Sequence, residues 1–475
     1  MTWVREPAVA GLFYPEDADD LAAAVATHLD GDGSMGGDDG PGADAGARPD
    51  AVAPSGADGG SDEPRALIAP HAGYRYSGAA AGAAYRTLAE DSGSIDRVVL
   101  VGPAHRVAVD GPGVGASTAR AWRTPVGDVP VDVDTMRGLV ADGLAVAADA
   151  AHAPEHSLEV HLPFLLAVLG PVPVVPLVVG GCPPRAVAAV LDATWGDGGT
   201  LVVVSSDLSH YLSEAEARTR DDRTRRAIIE GRAGDIGPRD ACGSIPIAGL
   251  VLAATTLGVV PRTVAMATSA DASGDTGRVV GYGSFAFATP QPLSAAERTW
   301  LLARARAAVA HEVGGAGMDL LVDSDVEERL SVPGASFVTV EVDGALAGCI
   351  GSLEATRPLW QDVARNARSA AFADPRFEPL SAADLDATVL KVSVLSRLEP
   401  LPSGRDELIA AVRPGVDGVL IEAGDHRATF LPTVWEKLPQ PEGFVAALAA
   451  KAGLAASAWP VDLQAWRYTT DEFSE

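Results

Sequence analysis

Residues 65–91 read RALIAPHAGYRYSGAAAGAAYRTLAED, and the fold turns on how this run divides. ALIA is a short apolar stretch that stops at Pro70, a residue without the N–H that a central strand needs. His71 follows, then Gly73, and from Gly78 onward the composition is helical. A buried strand, a histidine at its end and a helix make one unit of an α/β domain. The pattern returns. DRVVLVGPAH (96–105) and TLVVVSSDLSH (200–210) are apolar runs that also end in a histidine, and VPVVPLVVG (172–180) precedes a helical PRAVAAVLDATW (184–195). Continuous apolar strands alternating with helices predict a largely parallel sheet buried on both faces. RVVGYGSFAFA (278–288) reads as its last strand.

The chain has 475 residues, enough for two domains or three. Its net charge of −28 argues against a nucleic-acid backbone as the main partner. Residues 30–64 carry nine acids and one arginine among Gly, Ala, Pro and Ser. That composition buries too little apolar surface to offset its ordering entropy, so a disordered insertion is expected there. The three cysteines, Cys182, Cys242 and Cys349, form no CxxC pair. The first residues lack the apolar core of a signal peptide, and no apolar run is long enough to span a bilayer. A cytoplasmic protein with reduced thiols is expected.

The style changes near residue 290. In TPQPLSAAERTW (289–300), two prolines precede Ser294, a helix cap with Glu297 three residues on. SFVTVEVDGALAGCIG (336–351) alternates in period two around Asp343-Gly344, a hairpin signal. GVLIEAGDHRATFLP (418–432) reads as another hairpin, with His426 near its turn, and RPLWQDVARNARSAAFAD (357–374) as a helix. Residues 1–290 and 291–475 are expected to be separate domains, the second α+β with antiparallel strands.

Ligands of open α/β sheets sit beyond the carboxyl ends of the strands. Strand ends converging there would bring His71, His105, His210 and Asp207 to one rim. Imidazole is both the commonest metal ligand and the group that titrates near neutral pH. Cys242, in RDACGSIPIAG (239–249), lies at the start of a helix-like run, where a thiol pKa is expected to fall. HAPEHSLEVHL (152–162) holds His152, Glu155, His156, Glu159 and His161, but His156 and His161 stand five apart, off one helical face. A role in orienting ligands from behind suits this cluster better than direct ligation. Cys182 reads as structural, and Cys349 as a strand cysteine more often core than catalytic.

AGLFYP (10–15), APHAGYRYSG (69–78), GPAH (102–105), TPVGDVPVD (124–132), EHSLEVHLPF (155–164), SSDLSHY (205–211) and DACGSIPI (240–247) occur in the order seen in the Memo family, which the first domain resembles. Relatives of that family include the class III extradiol dioxygenases of the LigB type, non-haem iron enzymes with a three-layer domain and a parallel or mixed sheet. The resemblance implies His71, His105 and Cys242 as metal ligands, for Fe(II) with Cu or Zn as alternatives. It implies His210 as the acid/base with Asp207 beside it. Phe13, Tyr14, Tyr74, His156, Glu159 and His161 would line the pocket or support the ligands. Cys242 stands where the dioxygenases have a carboxylate. The second domain resembles the AMMECR family, through GALAGCIGSLEATRPLWQDVARNARSAAFADPRFEPL (344–380), VLKVSVLS (389–396), GVDGVLIE (415–422) and ATFLPTVWEKLP (428–439). There Ala347 replaces the arginine usual before GCIG, and Cys349 is the candidate residue. The two families recur together with a radical S-adenosylmethionine protein in the so-called AmmeMemoRadiSam system. The resemblance therefore implies a separate radical enzyme as partner, and a small molecule or peptide in the Memo-type pocket. This chain holds no CxxxCxxC of its own.

Overall fold

A computed structural model describes residues 3–31, 63–88, 92–196, 198–314, 328–454 and 459–475. The acidic insertion expected over 30–64 falls almost wholly outside them. Asp30 ends a helix that began at Ala18, and Gly31 caps it at φ +75°. The chain divides into two units, Met1–Gln291 and Pro292–Glu475.

The first unit is built on a nine-stranded mixed sheet. Its centre is four parallel strands in the order Ala66–Ala69, Thr200–Ser205, Arg97–Pro103, Val174–Val179. Three of these are buried at every residue and the fourth at all but Arg97, which is why they read as unbroken apolar runs. The flanks are mostly antiparallel. Val279–Ala288 runs beside Ala66–Ala69 and carries Val260–Thr268 and His210–Leu212, while Val114–Ala116 lies on Val174–Val179 and pairs in parallel with Val146–Ala147. Helices Tyr74–Arg86, Glu214–Ile229 and Ser244–Leu257 pack on the sheet. Ala18–Asp30 and Leu162–Leu169 pack on the first of these and on one another, and Pro184–Thr194 packs on the last. A separate sheet joins Val4–Arg5, Ala121–Thr124 and Gly127–Pro130. The mixed α/β architecture expected for this unit is the one observed.

The second unit is α+β, with two four-stranded sheets that are antiparallel throughout. Asp343 (φ +50°) and Gly344 (φ +78°) turn the hairpin between Ser336–Val342 and Ala345–Gly351, the backbone that a two-residue turn of twisted strands requires. Gly418–Ala423 and His426–Phe430 form the second hairpin. Ser294 and Glu297 close a capping box on helix Ala295–Glu312. The helix Leu359–Phe372 packs on the first sheet at Gly348, where any Cβ would collide with the Ala370 carbonyl. No helix among the described residues is long and apolar enough to cross a membrane.

Candidate metal centre

His71 stands two residues past the strand Ala66–Ala69, His105 two past Arg97–Pro103, and Asp207 two past Thr200–Ser205. These are three neighbouring parallel strands, so their carboxyl ends share one rim. Cys242 reaches the same place from the chain before helix Ser244–Leu257. Its N–H donates to the Asp207 carbonyl at 3.2 Å, and Gly243 packs so tightly that a Cβ would sit 2.7 Å from the Ser205 carbonyl oxygen. One ligand atom each from His71, His105 and Cys242 lie within 4.8 Å of one another. His71 is buried at the base, while the His105 side chain keeps 28 % exposure at the rim.

Hydrogen bonds decide which ring nitrogens face inward. The Ser205 hydroxyl donates its one proton to the Ser157 carbonyl at 2.6 Å. It must therefore accept from His71 Nδ1, 2.6 Å away, which leaves the lone pair on Nε2. That Nε2 is 3.3 Å from Cys242 Sγ. His105 Nδ1 donates to Glu155 Oε1 at 2.9 Å and likewise keeps an Nε2 lone pair. A carboxylate behind a ligating imidazole is the usual device for fixing tautomer and raising basicity. Glu155 also accepts from the backbone N–H groups of His105, His156 and Ser157. Burial alone would raise its pKa. The donors of His105 and His156 outweigh that and hold the carboxyl well below the usual carboxylate range. With its oxygens so engaged, Glu155 is placed to orient His105, and its oxygen also lies within 4.8 Å of nitrogens of His105 and His156.

Two titrations distinguish His71 from Cys242. Burial, then the neighbouring imidazoles, push the His71 pKa well below its ordinary value, so it is neutral near pH 7. For Cys242 the reading from the helix start is corrected. Desolvation, then the Asp207 charge, push the thiol up to about 12. The helix begins two residues further on, at Ser244, and the lowering contacts that reach the thiol, from the Asp207 and Gly243 backbone and the Ser206 hydroxyl, are smaller than these. Thiolate at this position calls for a compensating cation.

The other expected residues are placed as follows. Asp207 Oδ1 accepts the backbone N–H of His71 at 2.8 Å and of Ala72 at 3.3 Å, so it fastens the chain at His71. His210 Nδ1 donates to the Leu208 carbonyl at 2.8 Å and not to Asp207, which leaves the lone pair on its Nε2. His156 stacks on His105 (4.8 Å between centroids) and meets the Phe13 ring, tilted at 45°, at 4.6 Å. Tyr14 does not line an opening. It is buried, donating to Glu159 Oε1 at 2.6 Å, and Glu159 also pairs with buried Arg5 at 2.7 Å and accepts from Ala8 and Val9. Glu159 thus anchors the segment that presents Phe13. Tyr74 donates to the Val160 carbonyl, and His161 meets the Tyr85 hydroxyl, its own pKa lowered to about 3 by burial. Both support the fold behind the site. Sequence reasoning missed Ser205 and assigned Glu155 only to the group. Their partners lie 134 and 50 residues away, and no local spacing points to them.

In the second unit Cys349 lies on an edge strand. Its N–H donates to Asp374, its carbonyl accepts from Arg376, and Sγ accepts from Thr339 at 3.4 Å. The Asp374–Arg376 pair thereby closes the open backbone of that edge. His426 opens the strand after the Gly424-Asp425 turn, its Nδ1 donating to the Ala452 carbonyl.

Together these features define a mixed-sheet α/β domain whose rim gathers two imidazoles and a thiol within 4.8 Å of one another, a set that could hold a metal ion, and an antiparallel α+β domain. The chain belongs to the Memo family: the family model described as Memo-like protein matches residues 5–286, and that described as AMMECR1 matches residues 302–473. It is a fusion of the two. A MEMO1 family protein of Methanopyrus kandleri is 35 % identical over 300 residues, spanning 60 % of this chain and 98 % of that protein. A MEMO1 family protein of Aeropyrum pernix is 34 % identical, spanning 59 % and 98 %. Among solved structures, an uncharacterized protein from Pyrococcus horikoshii shares 28 % identity at a TM-score of 0.36, over 38 % of this chain and 93 % of that one.

Proposed function

We propose that the Memo-type unit is a metal-dependent redox protein in which His71, His105 and Cys242 hold one Fe(II), with Cu or Zn as the alternative ions. The observation that carries this reading is the donor set: two imidazoles with Nδ1 committed outward and Nε2 left for a ligand, beside a thiol that ionises only next to a cation. Two nitrogens and one sulfur suit iron, copper or zinc and leave coordination positions open. When bound, such an ion would supply Lewis-acid or electron-transfer chemistry at the rim. The chain's own part is to keep His71 neutral, hold His105 against Glu155, and offer His210 Nε2 as a proton acceptor. Cys242 in place of a carboxylate argues against ring cleavage of the LigB type, because a thiolate donates more charge and is itself oxidisable. We assign the radical chemistry of the system to a separate S-adenosylmethionine protein, with the AMMECR1 unit as the element that engages it.

A second reading, a non-catalytic scaffold for a peptide or partner, draws on the exposed apolar side chains close in sequence to the site. Leu12 beside Phe13 is 80 % exposed, and Tyr211 beside His210 is 65 % exposed. One experiment separates the two. In anaerobically Fe(II)-loaded protein, His210→Gln is expected to slow oxygen consumption about 10²–10⁴-fold at unchanged metal content. Equal rates in the two proteins, or no consumption in either, would favour the scaffold.

A further inference from the structure

Helix Glu214–Ile229 contributes a buried carboxylate that the metal site does not use. Asp221 is 2 % exposed. Its Oδ1 accepts the backbone N–H of Ser209 at 3.0 Å, while Oδ2 is buried with no hydrogen-bond partner among the described residues. The Ser209 side chain faces the same carboxylate and, with the Ser209 N–H, offsets part of the rise in pKa that burial causes. The carboxylate occupies the space where a Cβ on Gly281 would lie, so glycine is required there. Gly281 in turn grips the same turn from both sides. Its carbonyl accepts from Leu208 N–H and its N–H donates to the Ser209 carbonyl, each at 2.8 Å. His210 follows directly. The strand register then slips between His210 and Leu212, and Tyr211 is held at φ +61°, a strained angle for a residue with a side chain.

We propose that Asp221 is a positioning residue for His210: it fastens the bulged turn that presents the imidazole and supplies a negative charge behind it. The groups that face His210 are the Leu208 carbonyl on Nδ1, the carboxylates of Asp207 and Asp221, and the Tyr211 ring at 5.6 Å, over which the Arg278 guanidinium stacks at 4.5 Å. Asp221 also feels Arg220 of its own helix, whose guanidinium pairs with Asp240 at 3.3 Å. Burial raises the Asp221 pKa, and the Ser209 N–H, His210 and Arg220 oppose it. An acceptor for Ser209 N–H alone would not need a charge, since asparagine offers the same oxygen.

The catalytic meaning of this pair rests on the proton-transfer role given to His210 above, but its test needs neither metal nor turnover. The His210 imidazole is followed by NMR in the metal-free full chain, with His210→Gln identifying its resonance. Asp221→Asn is expected to leave the thermal midpoint within a few degrees and to lower the measured His210 pKa, the direction in which loss of a neighbouring negative charge acts. An unchanged His210 pKa in that folded variant would make Asp221 a structural acceptor only and overturn the proposal. Should the variant fail to fold, the wild type decides: the Asp221 carboxyl carbon must show an inflection at the pH where His210 titrates, and its absence overturns the proposal equally. Metal content enters neither readout, so failure of the metal reading would leave this result standing.

Discussion

Glu159→Ala is expected to destabilise the N-terminal unit by about 3–5 kcal/mol, measured by urea or thermal unfolding of that unit's transition. Removing one partner of a buried ion pair leaves the other charge uncompensated, and here the loss spreads further. The Arg5 guanidinium is held by Glu159, by the carbonyls of His152 and Glu155, and by the Trp122 ring at 4.2 Å. The same carboxylate accepts from the Tyr14 hydroxyl and the Ala8 and Val9 N–H groups. Without it, buried donors lose their acceptor at about 1–3 kcal/mol each when nothing replaces it. The segment that carries Phe13 onto His156 would loosen together with the fold. Replacing Arg5 and Glu159 together by methionine is expected to cost less than the single change, because no unpaired charge remains. A loss under about 1 kcal/mol for Glu159→Ala, the range of exposed pairs, would show that water reaches the pair and that this account of the N-terminal segment is wrong.

Metal affinity is expected to rise with pH about tenfold per unit between pH 7 and 9, and this slope should vanish in Cys242→Ser. The sign follows from the proton inventory of the free site. The thiol is protonated throughout this window because desolvation and Asp207 place its pKa at about 12. Binding as thiolate releases that proton, so higher pH favours the complex. His71 contributes nothing to the slope, since its lowered pKa leaves it already neutral. Isothermal titration with Zn(II) at several pH values, corrected for buffer, gives the slope directly. A flat profile in the wild type would mean that sulfur is not a ligand.

The parts of the fold that were legible in the sequence are those where one residue pattern has one physical cause. The four central strands are buried almost throughout and therefore uniformly apolar, and the Ser294–Glu297 box and the Asp343-Gly344 turn are local chemistry. Val260–Thr268 was not read as a strand, because it pairs only with Val279–Ala288 among the described strands and is mostly half-buried, which mixes its pattern. Val4–Arg5, Ala121–Thr124 and Gly127–Pro130 are too short to show a period. At the site, His71, His105 and Cys242 stood out because strand ends and helix starts are visible in sequence. The shift of the Cys242 thiol was read with the wrong sign, since the helix start is local while burial and Asp207 belong to the tertiary structure. The Tyr14–Glu159 bond was not legible for a similar reason: the two residues are 145 apart.

The central claim is that His71, His105 and Cys242 form a metal site, and the most direct test is elemental analysis of the full chain purified without oxygen, beside His71→Ala. The account predicts close to one equivalent of iron, copper or zinc in the wild type and its loss in a variant that remains folded by circular dichroism. Wild-type protein that takes up no metal, or a variant that retains it in full, would contradict the account.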